Sequence, residues 1–231
     1  MNTIEFKLTG RYALFTDPVT KIGGEKSTYH LPTYQALKGI TESIYWKPTF
    51  SWVIDKVRVM RTIQTESKNV KSLRMDGQYG KDRHDLSIYT YLRDIEYQVK
   101  AHFEWNMHRD DLSGDRNEKK HYERALRMLE RGGRRDIFLG SRECQGYVEP
   151  CCFGEGAGEY DEVPELSYGL MFHSFEYPSE SGIEELYALF WHIKLVKGII
   201  TFQRPQDCPH KRKVRNMRIE TIAVNREEEV D

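Results

Sequence analysis

From Ile95 to Trp105 the chain alternates strictly, with Ile95, Tyr97, Val99, Ala101, Phe103 and Trp105 on one face and His102 and Glu104 among the polar residues of the other. A side-chain period of two held over that length is strand geometry, and it demands a sheet with one buried face. The rest of the N-terminal half falls into place around this strand. Ile4, Phe6, Leu8, Tyr12 and Leu14 share a face opposite Glu5, Lys7 and Thr9, and Val53, Val57, Val59 and Ile63 alternate in the same way. Between these two strands Leu37, Ile40, Thr41 and Ile44 take the i, i+3, i+4, i+7 spacing of a helix that Lys47-Pro48 ends. Residues 116 to 131, "RNEKKHYERALRMLER", predict a second helix with Tyr122, Ala125, Leu126 and Leu129 as its buried stripe and Gly132-Gly133 as its stop. Ile137 to Leu139 and Tyr147-Val148 follow as short extended pieces.

The order is therefore β-α-β-β-α-β, which predicts an α+β chain with a ferredoxin-like domain over residues 1–150. The acidic, glycine-bearing "CCFGEGAGEYDEVPE" marks a boundary. Leu166 to Phe175, Tyr187 to Phe202 and Val214 to Val224 then read as a smaller, mostly antiparallel β domain over residues 151–231 with a basic C-terminal segment. The loop "TDPVTKIGGEKSTYHLP" follows the first strand, and the polar stretch from Glu66 to Asp85, with "MDGQYG" as its turn signal, reads as a protruding hairpin or a mobile loop. Gly154, Gly156 and Gly158 do not form a phosphate loop: the spacing is wrong and the flanking acids repel phosphate.

Charge is unevenly spread. Of the 35 basic and 36 acidic residues, ten acids and no Lys or Arg lie between Glu149 and Ile193, whereas residues 1–148 carry a net charge of +6 and the segment from Lys194 onward a net charge of +3. Such segregation suits a polyanion on the basic surface and a protein partner at the acidic stretch. The residues expected to meet phosphate are Arg116, Lys119, Arg124, Arg127 and Arg131 on the second helix and Lys211, Arg212 and Lys213 in the tail. Four cysteines without paired C-x-x-C knuckles are expected as free thiols, and no metal or cofactor is expected. No charged segment followed by an apolar run opens the sequence, so the chain is expected to be cytoplasmic with no membrane contact.

In this topology successive elements run in opposite directions, so the end of the first helix lies beside the start of the second. Tyr45, in "SIYWKP", is thereby expected to meet Lys119, Lys120 and His121, in "EKKH". A phenol, an imidazole and ammonium groups at one basic corner are the parts for cutting RNA without a metal. The 2′-hydroxyl attacks its own phosphate, charge builds on the phosphorane, and the 5′-oxygen leaves. Tyr45 or His121 could take the hydroxyl proton and the other return one to the leaving oxygen, while Lys120 holds the phosphorane. The neighbouring lysines and the helix N-terminus favour a neutral His121, and the same cations are expected to lower the pKa of Tyr45. Lys120 and His121 can converge on one phosphate only if they sit in the first turn, so the motif should mark the helix start. Taken singly, Tyr45-Trp46 before Pro48 reads as aromatic packing at a helix end, and the lysines as solvated.

Together the segments "PTYQALKGITESIYWKP", "KKHYERALRMLERGG" running into "IFLGSRECQGYVEP", and "FGEGAGEYD" resemble the type I-C (Dvulg subtype) CRISPR-associated RNA-processing endoribonucleases of the RAMP superfamily. The resemblance spans nearly the whole chain. It implies a ferredoxin-like domain followed by a small antiparallel sheet. It also implies metal-independent cleavage of the precursor CRISPR transcript at the base of the repeat hairpin, and retention on the 5′ handle beside the backbone and large subunits of the type I-C interference complex. It maps the catalytic residues onto Tyr45, Lys120 and His121. A second class stays open, a non-cleaving subunit that holds the handle and docks partners.

Overall fold

The computed structural model describes residues 2–17, 25–73 and 84–218. The tip of the expected hairpin, part of the loop after the first strand and the end of the Val214 to Val224 segment lie outside them. The first strand, β1 (Thr3–Ala13), buries Ile4, Phe6 and Leu8 completely. A two-residue strand, β2 (Lys26–Ser27), precedes helix α1 (Tyr34–Ile44), which Thr33 caps by accepting the Ala36 N–H at 3.2 Å. Strands β3 (Phe50–Val59), β4 (Gln64–Leu73) and β5 (His84–Trp105) follow, then a 3-10 turn at Asp110–Asp115 and helix α2 (Glu118–Glu130). Strands β6 (Ile137–Phe138) and β7 (Gln145–Pro150) close the first unit.

The main sheet runs β10-β3-β5-β1-β7-β6, where β10 is Ile199–Thr201. Its central four strands, β7-β1-β5-β3, carry the strand order and antiparallel pairing of the ferredoxin-like unit. Register explains the burial: Ile4, Phe6 and Leu8 of β1 face Ala101, Val99 and Tyr97 of β5, while Trp52 and Phe50 of β3 face Phe103 and Trp105. The apolar face so made is the floor on which both helices lie, α1 through Leu37, Ile40 and Ile44, α2 through Ala125 and Leu129.

β5 is twice the length of its alternating stretch. Its outer half pairs with β4 from Gln64↔Arg93 to Leu73↔His84, so the polar segment forms a long two-stranded arm. Gly140 makes a tight corner at φ 94, where a Cβ would stand 2.0 Å from the Leu14 carbonyl oxygen.

The second sheet has the order β11-β9-β8, from β8 (Leu166–Glu176), β9 (Glu185–Leu195) and β11 (His210–Asn216), with a four-residue helix, α3 (Pro178–Ser181), between β8 and β9. It is tied to the first. β10 pairs antiparallel with β3, and His173 of β8 stacks on Tyr34 of α1 with ring centroids 4.3 Å apart. The glycine-bearing linker is likewise fastened down: Arg58 reaches the Asp161 carboxylate at 2.6 Å and the Gly156 carbonyl at 2.8 Å. No helix among the described residues is long and apolar enough to cross a membrane.

Candidate active site

Tyr45 is the C-cap of α1. Its backbone turns extended there, at φ −159° and ψ 131°, which ends the helix, and its N–H still bonds the Thr41 carbonyl. The last carbonyls of α1, those of Ser43 and Ile44, are taken by the N–H groups of Arg134 and Arg135, so the return loop after α2 locks this end in place. Trp52 adds a further restraint by donating its indole N–H to the Tyr45 carbonyl at 2.7 Å.

α2 begins at the expected motif. Asn117 is the N-cap, its side chain accepting the Lys120 N–H at 3.0 Å, and Glu118 opens the helix with a carboxylate. The first turn is therefore less basic than "EKKH" suggests, because Asp115 closes the preceding 3-10 turn and its carboxylate binds the Lys120 ammonium at 2.5 Å. Thr49 donates to the same carboxylate at 2.9 Å. Burial opposes charge on Asp115, but the hydrogen bonds from Lys120 and Thr49 and the positive ends of His121 and Lys120 prevail, holding its carboxyl below the usual range. Asp115 has no signal in the sequence: it lies in an aperiodic polar stretch, and only the turn that precedes the helix brings it to the corner.

His121 and Tyr45 meet. The phenol oxygen and Nδ1 are 2.8 Å apart, although the residues are 76 positions apart in sequence. His121 is wholly buried, enclosed by Phe50, Phe103 and Trp105, and its Nε2 lies 2.7 Å from the Asp115 carbonyl oxygen and 3.3 Å from the Asp115 carboxylate. A carbonyl oxygen only accepts, so Nε2 carries the proton, and in the neutral imidazole Nδ1 accepts the Tyr45 O–H. The histidine thus holds the phenol from behind.

Tyr45, 3 % exposed, is also where the buried pair reaches the surface. It borders a cleft of about 390 Å³ lined also by Lys47, Arg124, Arg127, Met128, Arg131 and Arg134. Burial pushes the phenol pKa up, and Arg124 and Lys120 pull it down without prevailing. The expected lowering is overturned because the ring is packed against Phe50 and His121 rather than bathed in the lysine field.

The residues expected to bind phosphate separate into four groups. Arg124, Arg127 and Arg131 lie side by side in the cleft, and Lys47 and Arg134, which no sequence pattern singles out, join them from the other side. Lys119 is exposed and pairs loosely with Glu123 at 3.9 Å. Arg116 is not on the helix at all: it follows the 3-10 turn, and its guanidinium is spent on the Asn106 and Arg109 carbonyls, both at 3.1 Å. Lys211, Arg212 and Lys213 lie on β11, an edge strand. Lys211 is bound by Glu176 and lies over the Tyr187 ring, and Lys213 is bound by Glu185. The acidic stretch is likewise largely compensated, since Glu149 meets Lys7, Asp161 meets Arg58, Glu165 meets Lys194 and Glu180 meets Lys38. Much of the charge segregation along the sequence cancels in the fold.

Solved structures share this architecture. Residues 3–203 match the Cas5d family model, described as CRISPR-associated protein (Cas_Cas5). The chain is 28% identical over 221 residues to a CRISPR pre-crRNA endoribonuclease Cas5d of Thermus thermophilus, covering 86% of this chain and 90% of the relative. It is 29% identical over 149 residues to a protein of the same description from Mannheimia succiniciproducens, covering 57% and 64%. A crystal structure of a CRISPR-associated protein superposes with a TM-score of 0.75 at 35% identity, covering 91% of this chain and 96% of the other. A functionally uncharacterized protein from Streptococcus mutans does so at 0.74 and 38%, with the same coverage.

Proposed function

The chain belongs to the Cas5d family of CRISPR-associated proteins, and from that premise we propose that it is a metal-independent endoribonuclease of CRISPR repeat RNA, cutting precursor crRNA at the base of the repeat hairpin. The observation that carries the reading is the Tyr45 O–H to His121 Nδ1 bond at the edge of an arginine-lined cleft. RNA phosphates lie in that cleft, and Tyr45 is the member of the pair that touches them. As the 2′-hydroxyl attacks, its proton passes to the Tyr45 oxygen while the phenol proton passes to His121, whose new charge faces the Asp115 carboxylate. The 2′-oxygen to phosphorus bond forms, the bond from phosphorus to the 5′-oxygen breaks, and the 5′-oxygen takes a proton from water, the hydroxide so formed being neutralised as His121 gives up the proton it received. Arg124, and Lys120 once displaced from Asp115, offer positive charge to the phosphorane. His121 acts through Tyr45 in this scheme, and Lys120 is held in reserve by an ion pair.

After cleavage the protein stays on the 5′ handle, within a cytoplasmic complex of the type I-C kind that includes backbone and large subunits. The test is incubation of purified protein with labelled repeat RNA in excess EDTA. Fragments ending in a 5′-hydroxyl and a 2′,3′-cyclic phosphate are expected, and RNA that is bound but uncut would sink the proposal. The complete burial of His121 and the Lys120–Asp115 pair favour a second reading, a handle-binding assembly subunit in which the corner is structural; uncut, tightly bound RNA is its signature.

A further inference from the structure

The segment that carries Tyr45 presents a second surface. Because the backbone is extended where it leaves α1, successive side chains fall on opposite sides. Tyr45 and Lys47 line the arginine cleft, whereas Trp46 and Pro48 line a separate cleft of about 230 Å³ behind the ridge, which also takes in Tyr177, Arg109 and Arg218. The two clefts are thus parted by one thickness of chain.

Trp46 differs from the other tryptophans. Trp52, Trp105 and Trp191 each pack against other aromatic rings. Trp46 is 37 % exposed and has no ring or hydrogen-bond partner among the described residues. Its surroundings suit a planar, anionic guest. Asp111 grips the Arg109 guanidinium through two nitrogens, at 2.8 and 2.7 Å, which offsets its charge but fixes the orientation of a flat group, and Arg218 supplies positive charge at the rim. The one carboxylate on the wall among the described residues, Glu180, is bound by Lys38.

We propose that this second cleft is a base-stacking subsite: an unpaired nucleotide next to the phosphate at Tyr45 crosses the ridge and lays its base on Trp46. Indole and guanidinium planes accept any base face, and splayed single-stranded nucleotides are what such surfaces recognise. The subsite fixes where the strand lies over Tyr45, so it sets the phosphate that is cut. This rests on the RNA-cleaving reading above, but its test is a binding measurement that does not need cleavage.

The experiment is a cycle between Trp46→Ala and a single abasic site moved through the nucleotides flanking the hairpin base, with Trp46→Phe as the variant that keeps a stacking ring. Affinity of the wild type should fall about tenfold when one particular nucleotide is abasic, the order expected of one lost stack. Trp46→Ala should lose about as much with intact RNA and nothing further with that abasic RNA, while Trp46→Phe should recover most of the loss. If the abasic and Trp46→Ala losses multiply at every position, or if Trp46→Ala binds intact RNA as the wild type does, the subsite is refuted. Circular dichroism of the variants guards against misfolding, and the Trp46→Phe rescue reads the ring directly. A wild type that binds but never cuts would overturn the endonuclease reading while leaving this cycle fully informative.

Discussion

The Tyr45 hydroxyl and His121 Nδ1 stand 2.8 Å apart, the first at the rim of a basic cleft and the second entirely inside the core. Removing either half should have unequal consequences. Tyr45→Phe deletes one oxygen from a packed ring; it should lower the single-turnover cleavage rate by about two to four decades and leave repeat affinity within a few fold. His121→Ala should do the same to the rate but also empty a space lined by Phe50, Phe103 and Trp105, costing about 2–4 kcal/mol. A calorimetric scan should show it as a fall in Tm of roughly 4–16 °C. Cleavage by Tyr45→Phe at the wild-type rate would remove the phenol from the chemistry.

The cleft arginines and the edge-strand lysines should differ in their hold on RNA. Exchanging Arg124, Arg127 and Arg131 for Glu should weaken repeat binding steeply and reduce the slope of log affinity against log salt, by about 0.7 to 0.9 for each phosphate no longer neutralised. Exchanging Lys211, Arg212 and Lys213 for Glu should act first on the protein, because two of them are bound to Glu176 and Glu185. Salt titrations of both triple variants decide it: a flatter slope in the second than in the first would return the tail to the RNA path.

Two histidines should give the stability profile limbs of opposite sign. His102 hydrogen-bonds Asp55, which raises its pKa in the fold over the opposing effect of burial. Its contribution is complete below the unfolded value of about 6.5 and fades as pH rises through the higher folded value. His173 is buried and pushed down to about 4, so it costs stability as pH falls from about 6.5 toward 4, on the order of 3 kcal/mol at the bottom of that window. Urea midpoints should therefore show His102→Gln hurting more at about pH 5.5 than at about pH 8.5, and His173→Gln flattening the acid limb. Parallel profiles for both variants and the wild type would contradict the assignment.

The element order was legible because burial on one face leaves a period of two in β1 and β5, and because antiparallel succession alone brings the end of α1 to the start of α2. In β3 a register shift between Ile54 and Lys56 breaks the expected alternation, so that Phe50, Trp52 and Ile54 rather than Val53 share the core face with Val57 and Val59, and Ile63 lies beyond the strand. What a period cannot carry was lost. Asp115 contributes a carboxylate from a turn, β10 crosses back to pair with β3, and the Glu176–Lys211 and Glu185–Lys213 pairs join segments whose opposite charges look in sequence like two separate surfaces. The Tyr45 pKa moved opposite to expectation for a related reason: counting nearby cations ignores how deeply the ring is packed.

The two lysines of "EKKH" should respond differently to the same substitution. By helix dipole alone, each cation in the first turn costs roughly 0.3 to 1 kcal/mol, so glutamate in either place should help. That holds for Lys119, which is exposed and whose one ion pair among the described residues is the loose one with Glu123; Lys119→Glu should leave Tm unchanged or slightly higher, tempered by the new repulsion from Glu123 one turn on. It fails for Lys120, whose ammonium lies 2.5 Å from Asp115, because Lys120→Glu sets two carboxylates face to face beside Nε2 of His121. Asp115 then loses a hydrogen bond that holds its pKa down, so the variant should be destabilised at neutral pH and regain ground as Asp115 is protonated in acid. Melting curves for both variants near pH 7 and pH 4 check this. Equal stability of the two at neutral pH would mean that the Lys120–Asp115 pair adds nothing to the corner.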